Sequence, residues 1–141
     1  MITYQEFLSE KDSLSFEVCT QYFQDLVNSL DEVDEYSIIY WKDFITASLI
    51  YSQSRGEWLL LSREEKHAKD DTRTTKHNKF IYTLKIYIAY SKQKGYEFPW
   101  FESIKDNRKQ LGDLACYIAY IYMRLMLDDF LKENYDKRTY N

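Results

Sequence analysis

The 141-residue sequence contains few of the residues that tight turns and covalent cross-links require: three glycines, one proline and two cysteines. A multi-strand sheet needs many tight turns, so this scarcity disfavours a β fold. Cys19 and Cys116 are far apart, each within an apolar segment, which excludes a disulfide framework and the paired spacing of a zinc site. We expect both to be buried thiols.

Long hydrophobic runs are also missing. The longest uncharged apolar stretch, Leu114 to Met123, has ten residues, about half of the roughly 20 that a membrane-spanning helix needs. The first residues, MITYQEFLSEKD, lack the charged and then apolar layout of a secretion signal. We therefore expect a cytoplasmic protein with no membrane partner.

The formal net charge of −4 disfavours a dedicated binder of specific DNA, because such domains are usually basic. The charge is unevenly distributed. Residues 1–60 carry 3 Lys/Arg and 11 Asp/Glu, whereas residues 61–141 carry 16 and 12. If the two halves form different faces, the basic face could attract an anionic partner.

Apolar spacing predicts an all-α protein, a single domain of five or six helices over residues 1–133 with a polar tail at 134–141. The uncharged residues 114–123 are apolar on every face, so we expect a buried C-terminal helix on which the others pack. A second helix is predicted from about Ser13 to Val33.

Capping signals predict where several helices begin and end. T-x-x-E at residues 3–6 and S-x-x-E at residues 62–65 are capping boxes that open helices. Gly56 and Gly95 are expected to end helices. Acidic and threonine residues lower the helix propensity in the middle of residues 62–94. The sequence therefore does not decide whether this segment forms one helix or two.

A charged pattern occurs twice within this region: Arg63-Glu-Glu-Lys66-His67 is echoed by Arg73-Thr-Thr-Lys76-His77. Each copy places an Arg and a His one helical turn apart. One interpretation is a solvated, salt-bridged helix surface.

The other interpretation is an anion-binding site that contains Arg73 and His77. Arg108 and Lys109 would complete it, since they lie near the start of the last helix, where the helix dipole favours anions. Asp113 belongs to the same candidate site, with an ion pair to Arg73 or Arg108 as the purely structural alternative. Gly112 inside a helix indicates close approach of another backbone or a ligand.

Arg73-x-x-x-His77 resembles the Arg/His signature of the all-helical HEPN ribonucleases, at one residue less than its usual spacing. The resemblance implies a metal-independent ribonuclease. In it Arg73 would bind the scissile phosphate, and His77 would act as acid or base.

D-x-R-T-x-x-H-N at residues 71–78, paired with R-K-x-x-G-D-x-A-C-Y at 108–117, resembles an uncharacterised family of small all-helical bacterial proteins. The resemblance spans about Trp58 to Tyr120. It implies the fold and carries no activity.

We expect no metal and no cofactor. His67 with Asp71 and the Asp128-Asp129 pair lack the remaining ligands of a His/Asp or di-metal site. No glycine-rich nucleotide motif or serine-hydrolase motif is present.

The leading hypothesis is a non-enzymatic protein that self-associates, as a homodimer, because apolar residues such as Tyr120, Tyr122, Met123 and Leu127 exceed what neighbouring helices can cover. The alternative is a phosphate- or RNA-directed protein that uses Arg73 and His77. A third hypothesis is a small-ligand binder with a pocket lined by some of the 14 tyrosines.

Overall fold

The computed structural model describes residues 13–139, with side chains as far as Glu133. The described residues form six α-helices and no strand, in one compact domain, which confirms the predicted all-α bundle. The helix predicted from the capping box at residues 3–6 lies outside the described residues. The helices are α1 (Phe16–Ser29), α2 (Glu35–Leu59), α3 (Arg63–Ala68), α4 (Asp70–Gln93), α5 (Pro99–Ile104) and α6 (Arg108–Thr139).

Side-chain caps and a glycine define several helix ends, and the predicted ones at residues 62–65 and at Gly95 are confirmed. Asp34 caps α2 by accepting from the amides of Tyr36 and Ser37, and the capping box at residues 62–65 opens α3. Gly95 follows α4 with a φ of +100°, the left-handed conformation that glycine adopts most readily.

The prediction that Gly56 ends a helix is wrong, because α2 continues through it to Leu59. The predicted helix from Ser13 to Val33 is also shorter in the structure and ends at Ser29. Residues 62–94 form two helices, α3 and α4, and Lys69 adjoins both of them.

The core lies where α2 packs against both α4 and α6, while α1 covers α6. Aromatic side chains from α2 and α4 fill its centre, including Phe44, Tyr51, Phe80 and Tyr87, each at most 1% exposed. Both cysteines are buried, as predicted. Because α2 packs against both α4 and α6, the central helix of the core is α2, whereas only the first part of α6 is buried.

The two halves of α6 differ. Residues 111–119 are buried, in agreement with the sequence, whereas Tyr120 is 48% exposed and Met123 is 54% exposed. The expected burial therefore holds for the first part of residues 114–123, whereas Tyr120 and Met123 are the apolar surplus that the other helices do not cover. The helix also continues to Thr139, beyond the end predicted near residue 134. In the described part of the chain, no helix has the length and hydropathy to cross a membrane.

Candidate functional site

A cavity of about 390 Å³ lies where α2 and α4 meet the first turn of α6. Pockets of this size accommodate small ligands, which typically occupy roughly 300–1,000 Å³. Four of the lining residues are Arg or Lys, and none is Asp or Glu. The lining residues are Tyr51, Arg55, Arg73, Thr74, His77, Asn78, Arg108 and Lys109.

Helix α4 contributes Arg73 and His77, one turn apart on the face towards α2. The Arg73 guanidinium lies 4.6 Å from the centre of the Trp58 ring, and its Nη2 donates to Asp70 Oδ1 at 2.9 Å. The Nε of Arg73 is buried and has no hydrogen-bond partner among the described residues. The cation–π contact with Trp58 therefore helps to hold the guanidinium at the cavity wall.

Helix α2 contributes Tyr51 and Arg55, also one turn apart. The Tyr51 ring stacks on the His77 imidazole with 4.6 Å between centroids and 20° between planes. Burial raises the pKa of Tyr51, so its hydroxyl stays protonated and can donate at neutral pH. Arg55 is only 8% exposed, which places a permanent positive charge inside the protein.

The beginning of α6 contributes Arg108 and Lys109. The side chain of Asn107 caps the helix by accepting from the amide of Gln110 at 3.0 Å. Lys109 Nζ donates to Ser13 Oγ at 2.7 Å. The positive end of the helix dipole therefore adds to the side-chain charges at this edge of the cavity.

Asp113 lies beneath the cavity, fully buried. Its Oδ1 is 3.5 Å from Arg55 Nη2, and its Oδ2 accepts from the amide of Leu14 at 3.0 Å. Burial raises the pKa of Asp113, while the Leu14 amide and Arg55 act in the opposite direction. The carboxylate balances the buried Arg55, because a lone charge in the interior would be strongly unfavourable.

The predicted ion pair from Asp113 to Arg73 or Arg108 is wrong. Arg73 pairs with Asp70, and Arg108 contacts His77. The close approach expected at Gly112 is present, but it comes from two side chains rather than a backbone or ligand. A Cβ there would lie 2.8 Å from Arg55 Nη1 and 2.9 Å from Tyr51 Oη.

His77 is 5% exposed and has a defined tautomer. Arg108 Nη2 lies 3.2 Å from His77 Nδ1. Because a guanidinium only donates, Nδ1 must accept, and the ring proton is on Nε2. Burial and the neighbouring Arg108 and Arg55 charges lower the pKa of His77 to about 4.

The Nε2–H of His77 is thus a buried donor that makes no well-aligned hydrogen bond with the described residues, although the backbone of Arg108 lies close enough to oppose the lowering of the pKa of His77. Buried donors are almost always paired with an acceptor in folded proteins. The cavity lining supplies guanidinium, ammonium, hydroxyl and imidazole donors around it. Such an arrangement favours an acceptor-rich, negatively charged ligand.

The structure brings together four of the five residues predicted to bind an anion: Arg73, His77, Arg108 and Lys109. Asp113 does not line the cavity and instead supports it through Arg55. Tyr51 and Arg55 line the cavity although neither was predicted from the sequence. The spacing of the sequence did contain a sign of their burial, because both residues follow Phe44 and Ser48 at helical intervals on the buried face of α2.

The described residues contain no group of three or more His, Cys, Asp or Glu side chains that could hold a metal ion. The sequence matches no known family model, and comparisons with characterised proteins and with solved structures also give no match.

Proposed function

We propose that the protein binds a phosphate-class oxyanion, free or as part of a phosphorylated molecule or RNA, in the cavity between α2, α4 and α6. The observation that carries this proposal is the buried Nε2–H of His77, a donor without a well-aligned hydrogen bond to the described residues, in a cavity lined by four cations and no carboxylate. Phosphate oxygens accept hydrogen bonds from such donors, and guanidinium groups match their geometry.

The geometry disfavours acid–base catalysis by His77, and with it the ribonuclease alternative. With a pKa of about 4 the ring is neutral at pH 7, so it is a poor general acid. A general base needs a free nitrogen lone pair, and Arg108 already occupies the one on Nδ1. His77 therefore acts as a hydrogen-bond donor to the ligand, and the proposed function is binding without cleavage.

Inorganic phosphate is the first probe, measured by calorimetry against chloride at equal ionic strength. A hydrogen bond between charged groups contributes about 1.5–3 kcal/mol, so Arg73→Ala and Arg108→Ala should each weaken phosphate binding roughly tenfold to a hundredfold. Arg63→Ala is the matched control, because Arg63 has the same spacing to a histidine but lies exposed on α3. It should change the affinity less than twofold.

A short single-stranded RNA, incubated with the protein, tests the second part of the proposal. The RNA should compete with phosphate for binding and remain intact. Failure to bind either probe, or an equal loss of affinity in Arg63→Ala and Arg73→Ala, would overturn the binding site. Cleavage that is lost in His77→Gln would overturn the non-catalytic role.

A further inference from the structure

The second half of α6 extends past the other helices and carries large apolar side chains that are partly in solvent. Six of them are between 48% and 60% exposed: Tyr120, Met123, Met126, Leu127, Phe130 and Leu131. Monomeric proteins seldom expose a contiguous apolar surface of this kind without a binding role.

These six side chains lie on one face of the helix, hereafter the α6 stripe. At 3.6 residues per turn they span less than half of the helix circumference, and no charged residue falls among them. The rest of the circumference, including both borders of the stripe, carries the charges: Arg124, Asp128, Asp129, Lys132 and Glu133. Leu125, 57% exposed, is an apolar residue on that charged side.

The α6 stripe continues into an apolar groove within the bundle. A cavity of about 470 Å³ lies between α2 and α6, and Cys116, Tyr120 and Met123 line it from the same face of α6. Leu49 and Gln53 line it from α2. A helix that packs along the α6 stripe would therefore also reach this groove.

We propose that the α6 stripe binds the α6 stripe of a second copy of this chain, antiparallel and centred near Met126. The charges at its border select this orientation. Arg124 and Asp128 are one turn apart on the same flank of the stripe, and Arg124 Nη1 also lies 3.4 Å from Tyr120 Oη. A two-fold axis near Met126 brings each Arg124 towards Asp128 of the other copy, whereas a parallel pair would place this flank against the opposite flank of the partner helix, where Arg124 does not meet Asp128.

The size of the stripe fits a dimer. Six large side chains with about half of their surface exposed, together with the groove, would bury on the order of 700 Å² per copy, close to the roughly 800 Å² of a standard interface. The pairing is isologous, because both copies use the same residues, so it closes and does not propagate into a fibre.

Sedimentation equilibrium of the full chain at micromolar concentrations tests the proposal, and the expected species is a dimer. Leu127→Glu should give a monomer, whereas Leu125→Glu should leave the dimer intact. Both leucines are exposed to a similar degree on a helix surface, so neither change threatens the fold. A monomeric wild-type chain, or equal effects of the two variants, would overturn the proposed interface.

Charge reversal tests the antiparallel register. Arg124→Asp alone and Asp128→Arg alone each place like charges opposite each other in a homodimer, and each should raise the dissociation constant about tenfold. Mixing the two variants should restore dimerisation, because every facing pair is then of opposite sign. A mixture that dimerises no better than either variant would refute this register.

Discussion

Arg63 and His67 in α3 share their spacing with Arg73 and His77 in α4, yet the two pairs have different surroundings. Arg63 and His67 are exposed, beside a cavity whose lining includes the carboxylates of Glu64 and Asp70. The α4 pair faces α2 and α6, and no carboxylate lines its cavity. Identical side chains one turn apart therefore become a surface patch in one place and a donor-lined pocket in the other, according to what packs on them.

The largest change in stability is expected from a substitution in the buried ion pair of Arg55 and Asp113, which lies beneath Arg73 and His77. Asp113→Asn leaves Arg55 inside the protein without its counter-charge, so we expect the free energy of unfolding to decrease by roughly 3 kcal/mol. Asp70→Asn, which removes the partly exposed partner of Arg73, should cost less than about 1 kcal/mol. Chemical denaturation measures both changes, and similar losses would show that Arg55 does not depend on Asp113.

Acidification should reveal the burial of His77. His77 has a pKa of about 4 in the folded protein against 6.5 for the free side chain. Between these values the unfolded chain binds the extra proton, so stability falls as the pH decreases from about 6.5 to about 4, by up to roughly 3 kcal/mol. Denaturation curves across this range should show that His77→Gln removes this component and His67→Gln retains it. An unchanged pH slope in His77→Gln would contradict the assignment.

Two helical glycines show the same contrast between a packed and an open environment: Gly112 lies against other side chains, and Gly56 does not. At Gly112, under the α4 pair, an added Cβ would press on Arg55 and Tyr51, and we expect Gly112→Ala to cost about 1 kcal/mol after its gain in helix propensity. At Gly56 a Cβ meets nothing within 4 Å, so Gly56→Ala should stabilise by up to about 1 kcal/mol. Opposite signs in thermal denaturation are expected, and a stabilising Gly112→Ala would show that the two side chains can move away.

The smallest change in stability is expected from altering the contact between Arg73 and Trp58. Arg73→Lys keeps the charge but replaces the guanidinium that lies over this ring, so we expect a loss of about 0.5–1 kcal/mol in the free energy of unfolding. Arg63→Lys should have no measurable effect. A loss below the error of chemical denaturation for Arg73→Lys would show that the cation–π contact with Trp58 does not hold the guanidinium.

Sequence periodicity was sufficient for the helices and for the part of the site that lies on single helices. The pairing of Arg73 with His77 and of Arg108 with Lys109 follows from spacing alone, because both pairs are local. The role of Arg55 could not be predicted in the same way, since it depends on Asp113 approaching it from a helix 58 residues further along the chain. A charged residue at helical spacing from Phe44, Ser48 and Tyr51 was the available sign that a buried partner was needed.

Gly56 illustrates a different limit. A glycine ends a helix when its φ is positive, and that choice depends on whether the following residues gain more by continuing the helix. Trp58, which continues α2, packs against Lys66 and Arg73. The helix thus extends past Gly56 because of contacts with α3 and α4, which no local pattern contains.

Helix α6 links both proposals through its length. Lys109 at the cavity and Met126 at the centre of the stripe are 17 residues apart on one rod, about 25 Å at 1.5 Å per residue. An antiparallel pair of such rods would carry its two cavities at opposite ends, roughly 50 Å from each other. Two phosphate sites at a fixed separation would hold an extended polyanion at two points at once, so that a weak affinity at each site adds up to tight attachment.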